Sequence, residues 1–215
     1  MTALPIIAID GPAASGKGTI ARRVAEAMAF AHLDTGMLYR AVGLAVLKRG
    51  EDPENPAAAG RAAQALDLSL LQDPSLRGHE AGSAASKVAA VPAVREALLN
   101  FQRNFAHSPP GGRGAVLDGR DIGTIICPTA TVKLFVTATP EVRARRRYLE
   151  LFSQGSSRTE AEVLADIRLR DHRDMSRPVA PLAQAPDAHL LDTTQLDIEA
   201  AVALALEIVR AALRT

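Results

Sequence analysis

Gly11-Pro12-Ala13-Ala14-Ser15-Gly16-Lys17 has the G-x-x-x-x-G-K spacing, and it stands between a short apolar run and a stretch of helical periodicity. Chain of this kind holds phosphate: the glycines let backbone N–H groups turn inward, the helix that follows adds the positive end of its dipole, and Lys17 reaches the terminal phosphates. Gly18 occupies the place where the pattern has Ser or Thr, and Thr19 follows one residue later. Thr19 is therefore the candidate hydroxyl for a magnesium ion carried by the nucleotide. Asp118, at the end of an apolar segment, is the candidate carboxylate, acting through metal-bound water.

A nucleotide loop by itself does not say what the nucleotide is for. None of the four lysines has an Asp two residues on, so the N-K-x-D segment of a guanine reader is absent. The chain carries 21 Arg, nine of them within residues 143–177. Arg offers a permanently charged planar fork suited to phosphate oxygens. On helices, Arg170, Arg173, Asp174 and Arg177 would share one stripe, and Arg143, Arg146 and Arg147 with Glu150 another. Such stripes could close over a triphosphate, with Arg146 on the ATP side. The five histidines lack metal-ligand spacing, and Cys127 reads as a small buried side chain.

Three further segments make the chain recognisable. Gly16-Lys17-Gly18-Thr19 resembles nucleoside monophosphate kinases. One branch of them, the bacterial cytidylate kinases, is also matched by Asp34-Thr35-Gly36-Met37-Leu38-Tyr39-Arg40, by Asp118-Gly119-Arg120-Asp121-Ile122-Gly123-Thr124, and by Arg170-Asp171-His172-Arg173-Asp174-Met175-Ser176-Arg177. The resemblance implies transfer of the ATP γ-phosphoryl group to CMP or dCMP, with magnesium required. It places Lys17, Arg120, Arg170 and Asp118 in the catalytic set and the loop 11–19 on ATP. Arg40, Arg120 and Arg170 fall on the acceptor phosphate, with Thr35 beside them. Ser86, Arg95 and Asp121 fall on cytosine, and Asp174 and Arg177 on the ribose side and the lid. An ionised phosphate acceptor needs no general base, so catalysis would rest on alignment and charge cancellation. A kinase for UMP or AMP, or a nucleotide-binding regulator without transfer activity, stays open as an alternative. The segment between Asp67 and Ser86 is too short for the strand-containing acceptor subdomain that is common in the family, so only a minimal acceptor cap is expected.

These groups need a scaffold. Residues 4–9 and 115–117 read as strands buried on both faces, 131–138 as the clearest strand, and 32–33 and 188–191 as weaker ones. Helical periodicity covers 19–30, 37–49, 57–66, 84–105, 140–152, 159–174 and 198–213, with irregular chain over 66–82. Strands alternating with helices predict an α/β P-loop kinase fold: a parallel sheet of about five strands covered on both faces. It would form one domain over 1–215, with an acceptor-binding insert at about 37–105 and an Arg-rich lid at about 143–178. The Gly and Ser of 155–157 suit the hinge of that lid.

Composition limits the rest. A formal charge of +1 and 3% aromatic content argue against a nucleic-acid surface. One cysteine, no basic residue ahead of the first apolar run and no long uncharged apolar stretch predict a cytoplasmic protein without a membrane partner. It is expected to act as a monomer.

Overall fold

The computed structural model describes residues 4–214. Five strands, β1 (Ile6–Asp10), β2 (Ala31–Asp34), β3 (Ala115–Gly119), β4 (Val132–Thr137) and β5 (His189–Asp192), form one parallel sheet in the order β2-β3-β1-β4-β5. Every residue of β1 and β3 is buried, as expected of central strands with helices on both sides. α1 (Lys17–Met28) and α8 (Ile198–Ala212) cover one face. There Ile20, Val24, Ala205 and Val209 pack on Ile7, Ile9, Leu134 and Val136. The opposite face meets α5 (Pro92–His107) and a π-helical turn, Ile122–Ile126, around Ala8, Leu117 and Ala106.

Above the carboxyl ends of the strands lies a helical layer: α2 (Thr35–Lys48), α3 (Pro56–Gln64), α4 (His79–Val88) and the first part of α5. It has its own core, built around Leu38, Val42, Ala59, Val88 and Val94. Small residues bring α2 and α4 close together: a Cβ added to Gly43 would lie 2.8 Å from Cβ of Ala84. Opposite stands a hairpin of α6 (Pro140–Ser153) and α7 (Glu160–Ser176), held by Ala144, Leu151, Val163 and Ile167.

Two expectations are corrected. The stretch 84–105 is two helices, because Pro92 has no N–H to donate and disfavours helical backbone at Val91; α4 ends at Val88, and Pro92 opens α5. The stretch 66–82 is more ordered than its composition suggests. The side chains of Asp67 and Asp73 each accept an N–H at the start of a 3-10 turn, Leu68–Gln72 and Pro74–Arg77, and α4 begins at His79. The α2–α5 layer contains no strand. Among the described residues, no helix is long and apolar enough to cross a membrane.

Candidate active site

The sheet topology decides where chemistry can happen. β1 lies between β3 and β4, so the chain leaving Asp10 enters the crevice at the carboxyl ends of the strands, and the loop 11–16 forms there. At Gly11 any side chain would run into the Val136 carbonyl oxygen, and Gly16 sits at φ 90° directly before α1. The loop is thus held close against β4. Arg143 fixes it from outside: buried, it donates to the Ala13 carbonyl at 3.1 Å and the Ala138 carbonyl at 2.8 Å, and it forms a two-point pair with Asp171.

Two cavities meet at this loop. The larger, about 490 Å³, is lined by residues 14–20, by Arg146 and Arg147, and by Thr193, Leu196 and Ile198 at the start of α8. The second, about 250 Å³, lies between the loop, the helical layer and α7. Ala14, Lys17, Gly18, Arg147 and Glu150 line both. Lys17 donates to the Pro12 carbonyl at 3.3 Å. Burial, and next the charge of Arg120, push its ammonium down to about 7, while Asp118 and Asp34 pull the other way.

The second cavity collects Lys17, Thr35, Arg40, Ser86, Arg95, Asp118, Arg120, Asp121, Arg170, Asp174 and Arg177, all predicted from the sequence. Seven cationic and five acidic side chains line it, so an anion is the natural occupant. The acidic residues organise the arginines into two networks. Asp121 lies between Arg95 and Arg177, the latter at 3.4 Å; burial pushes its carboxyl up against the pull of both. Asp174 accepts from Arg120 at 2.9 Å and from Ser86 at 3.2 Å. Burial alone would raise Asp174, but Arg120, Arg177 and Arg170 together hold it below its ordinary value. Arg95 Nη1 and Arg170 Nε are buried without a protein partner. Burial, and next the charge of Arg147, lower Arg40 to about 10; burial, and next the charge of Arg40, lower Arg170 to about 9.

The predicted arginine stripes are only partly borne out. On α6, Arg143 braces the loop and Arg146 donates to Thr193 and Leu196; Arg147 alone of the three reaches both cavities. Around α7, Arg170, Asp174 and Arg177 line the second cavity and Arg173 does not. The Thr35 hydroxyl is committed to the Asp118 carbonyl at 2.8 Å, so Thr35 ties α2 to β3 at the cavity wall. Tyr39 both packs in the layer's core and lines the cavity, with Arg95 over its ring. Cys127 is buried, its thiol pushed up to about 11 by burial, as befits a core side chain.

Three residues were missed. Asp34 is the register partner of Asp118 across β2 and β3, and burial, then Asp118, raise its carboxyl. His32 Nε2 lies 2.8 Å from Asp118 Oδ1. Asp10, at the end of β1, accepts the N–H groups of Ile122 and Gly123, each at 2.7 Å, and thereby locks the segment after Asp121 to the strand that feeds the phosphate loop. Position at a strand end next to a glycine-containing motif was the available signal for Asp10 and Asp34; nothing local marked His32.

Comparison with known proteins bears on the family to which the chain belongs. The chain is 58% identical over 206 residues to the cytidylate kinase of Bradyrhizobium sp. (strain ORS 278), covering 96% of each chain. It is 59% identical over 204 residues to that of Rhodospirillum rubrum, covering 94% of this chain and 96% of the relative. These relatives have nearly its length, so the small helical layer is not a truncation with respect to them. A solved structure of an uncharacterized protein from Eubacterium ventriosum superposes with a TM-score of 0.56 at 13% identity, over 96% of this chain and 99% of that one, a likeness of fold alone. The cytidylate kinase family model matches residues 7–211, from the second residue of β1 almost to the end of α8, and by that match and these relatives the chain belongs to the cytidylate kinase family.

Proposed function

We propose that the protein transfers the γ-phosphoryl group of ATP to CMP or dCMP, giving ADP and the cytidine diphosphate. The observation that carries this reading is the shared wall: Lys17, Gly18 and Arg147 belong to both cavities, so anions held in each would meet at one lysine and one arginine. ATP would lie in the larger cavity, its phosphates on the amides of 11–19 and its base toward Leu196 and Ile198. The monophosphate would lie in the second. The α2–α5 layer serves as the acceptor insert and the α6–α7 hairpin as the lid, within one domain.

The residues then divide the work. Lys17 holds the ATP phosphates; arriving phosphate oxygens restore the charge that burial disfavours. Arg40, Arg120 and Arg170 grip the acceptor phosphate, and with Arg147 they cancel charge on the equatorial oxygens of the transferring group. Asp121 and Arg95 read the cytosine edge, the carboxylate accepting from the exocyclic amine and the guanidinium donating to the ring acceptors. A uracil carbonyl would face Asp121 unfavourably. Ser86 joins Asp121 and Arg95 on the cytosine side, and Asp174 and Arg177 fix the ribose side. No base is required, since the attacking phosphate oxygen is already ionised.

Magnesium suits the site. Asp118 Oδ1 is taken by His32 and Asp34 Oδ1 by the Met37 amide, which leaves one oxygen of each carboxylate in register beside Lys17. These two carboxylates line the second cavity and Thr19 the larger one, so an ion held between phosphates of both could draw on hard oxygen donors from either side, as magnesium commonly uses one or two carboxylates together with nucleotide phosphates. The ion would neutralise phosphate charge there.

The intact Lys17 and convergent arginines weigh against a transfer-inactive regulator. Single-chain completeness of the site supports action as a monomer, and the lone buried cysteine supports a reducing, cytoplasmic setting. The test is a coupled ADP-release assay with CMP, dCMP, UMP and AMP at equal concentration. CMP and dCMP should react at least about tenfold faster than the others. Equal rates for all four would overturn the cytosine assignment, and ATP binding without any acceptor-dependent ADP release would overturn transfer.

A further inference from the structure

From the end of the second 3-10 turn into the start of α4 runs a four-residue strip, Leu76-Arg77-Gly78-His79, whose first three carbonyls point at arginines of both banks of the cleft. Arg40 Nη1 donates to the Leu76 carbonyl at 2.6 Å and lies 3.3 Å from that of Gly78. Arg147 Nη2, from α6, donates to the Arg77 carbonyl between them at 2.9 Å. Arg40 and Arg147 are like charges facing one cavity, and without acceptors behind them they would splay apart. The strip is itself fixed on the α2 side: the Leu76 side chain is fully buried against Ala41 and Ala81, and Lys48 pairs with Asp73 at 2.6 Å.

On the hairpin side the strip is fastened by its last residue. Arg158 Nη1 lies 2.6 Å from His79 Nδ1 and 2.5 Å from Asp166 Oδ2. A guanidinium only donates, so the Arg158 contact is made with Nδ1 unprotonated; the same Nδ1 lies 3.2 Å from Asp166 Oδ2, to which a protonated ring would donate. Burial, and next Arg158 just ahead of α7, push His79 below its ordinary value; Arg170 on α7 and Arg147 on α6 act in the same direction, and Asp166 opposes them. None of His79, Arg158 and Asp166 lines either cavity.

We propose that His79, with Arg158 and Asp166, acts as a positioning latch for phosphoryl transfer: it fastens the Leu76–Gly78 carbonyl strip to the α6–α7 hairpin, so that Arg40 and Arg147 are set on the transfer line in one event. This rests on the assignment of the second cavity to the acceptor. Its consequence is that acceptor-side and lid-side arginines cannot be placed independently, and that ATP held without the latch is exposed to water.

The experiment compares the wild type with His79→Ala, Asp166→Ala, the double variant and His79→Asn, whose amide can present an acceptor near the Nδ1 position. Each is checked for an unchanged melting temperature. His79→Ala and Asp166→Ala should each lower kcat for CMP about tenfold, as misplacement of positioned groups does, with KM for ATP within about twofold of wild type. ADP released per CDP formed should rise, His79→Asn should recover most of the loss, and the double variant should be no worse than either single one. Wild-type kcat and wild-type ADP-to-CDP ratio in both single variants would overturn the latch, as would losses that multiply in the double variant. Absence of CMP-dependent ADP release in the wild type would instead sink the acceptor assignment beneath it.

Discussion

Asp121 is a carboxylate that burial resists and two guanidinium groups retain. Its position is doubly useful, since the same charge that holds Arg95 and Arg177 in place faces the acceptor cavity. Asp121→Asn keeps the shape and loses the charge, so both arginines are left buried and under-partnered. Breaking a buried pair in this way costs about 3 kcal/mol or more, which urea denaturation reads directly. The preference for CMP over UMP should fall about tenfold in the same variant, because the amide no longer strongly favours an amine over a carbonyl. Unchanged selectivity would assign base reading elsewhere. Ser86 and Asp174 follow the same logic, each holding a cavity wall through a partner rather than standing alone.

Among the elements, the joint between β1 and the π-helical turn is the one most exposed to pH. Burial raises the Asp10 carboxyl to about 7, against two backbone N–H groups that favour its charge. A carboxyl raised in the folded state keeps a proton that the unfolded chain has lost. Between about pH 4 and pH 7 its contribution therefore falls as pH rises. Asp10→Asn removes that contribution, so the fall in stability over this window should be shallower than in wild type, whatever the change in absolute stability. Urea midpoints at pH 4.5, 5.5, 6.5 and 7.5 measure the two slopes; parallel slopes would mean that Asp10 is not the titrating group. The Arg143–Asp171 pair makes a similar joint between the phosphate loop and the hairpin.

At the scale of the whole molecule, two cavities sharing one wall imply that donor and acceptor bind side by side. At a hundredfold excess over its dissociation constant each ligand adds about 2.7 kcal/mol, and for a chain of this size each kcal/mol raises the melting temperature by about 2–4 °C. A non-transferable ATP analogue and CMP should each stabilise the protein, and together they should give at least the sum of the two shifts. Any excess would measure closure of the hairpin over both. A combined shift no larger than the greater single one would mean mutually exclusive binding, and in-line transfer would then be impossible.

The phosphate loop, the strand–helix alternation and the arginine-rich acceptor motifs were all legible in the chain, because each depends on local spacing: glycines where backbone must turn, apolar runs where strands are buried, a proline where a helix must start. The Pro92 break was legible too and was passed over, since apolar periodicity continues through it. Folding alone decided which arginines serve the cleft and which hold the frame. Arg143, Arg146 and Arg147 are near neighbours on one helix, yet one braces the phosphate loop, one ties down the chain after β5 and one reaches both cavities. Sequence sets the charge of a guanidinium; carbonyl and carboxylate partners distant along the chain set where it points. The same holds for Asp34 beside Asp118, which β-sheet register alone brings together, and for His79, whose role exists only because α7 folds back over the acceptor layer.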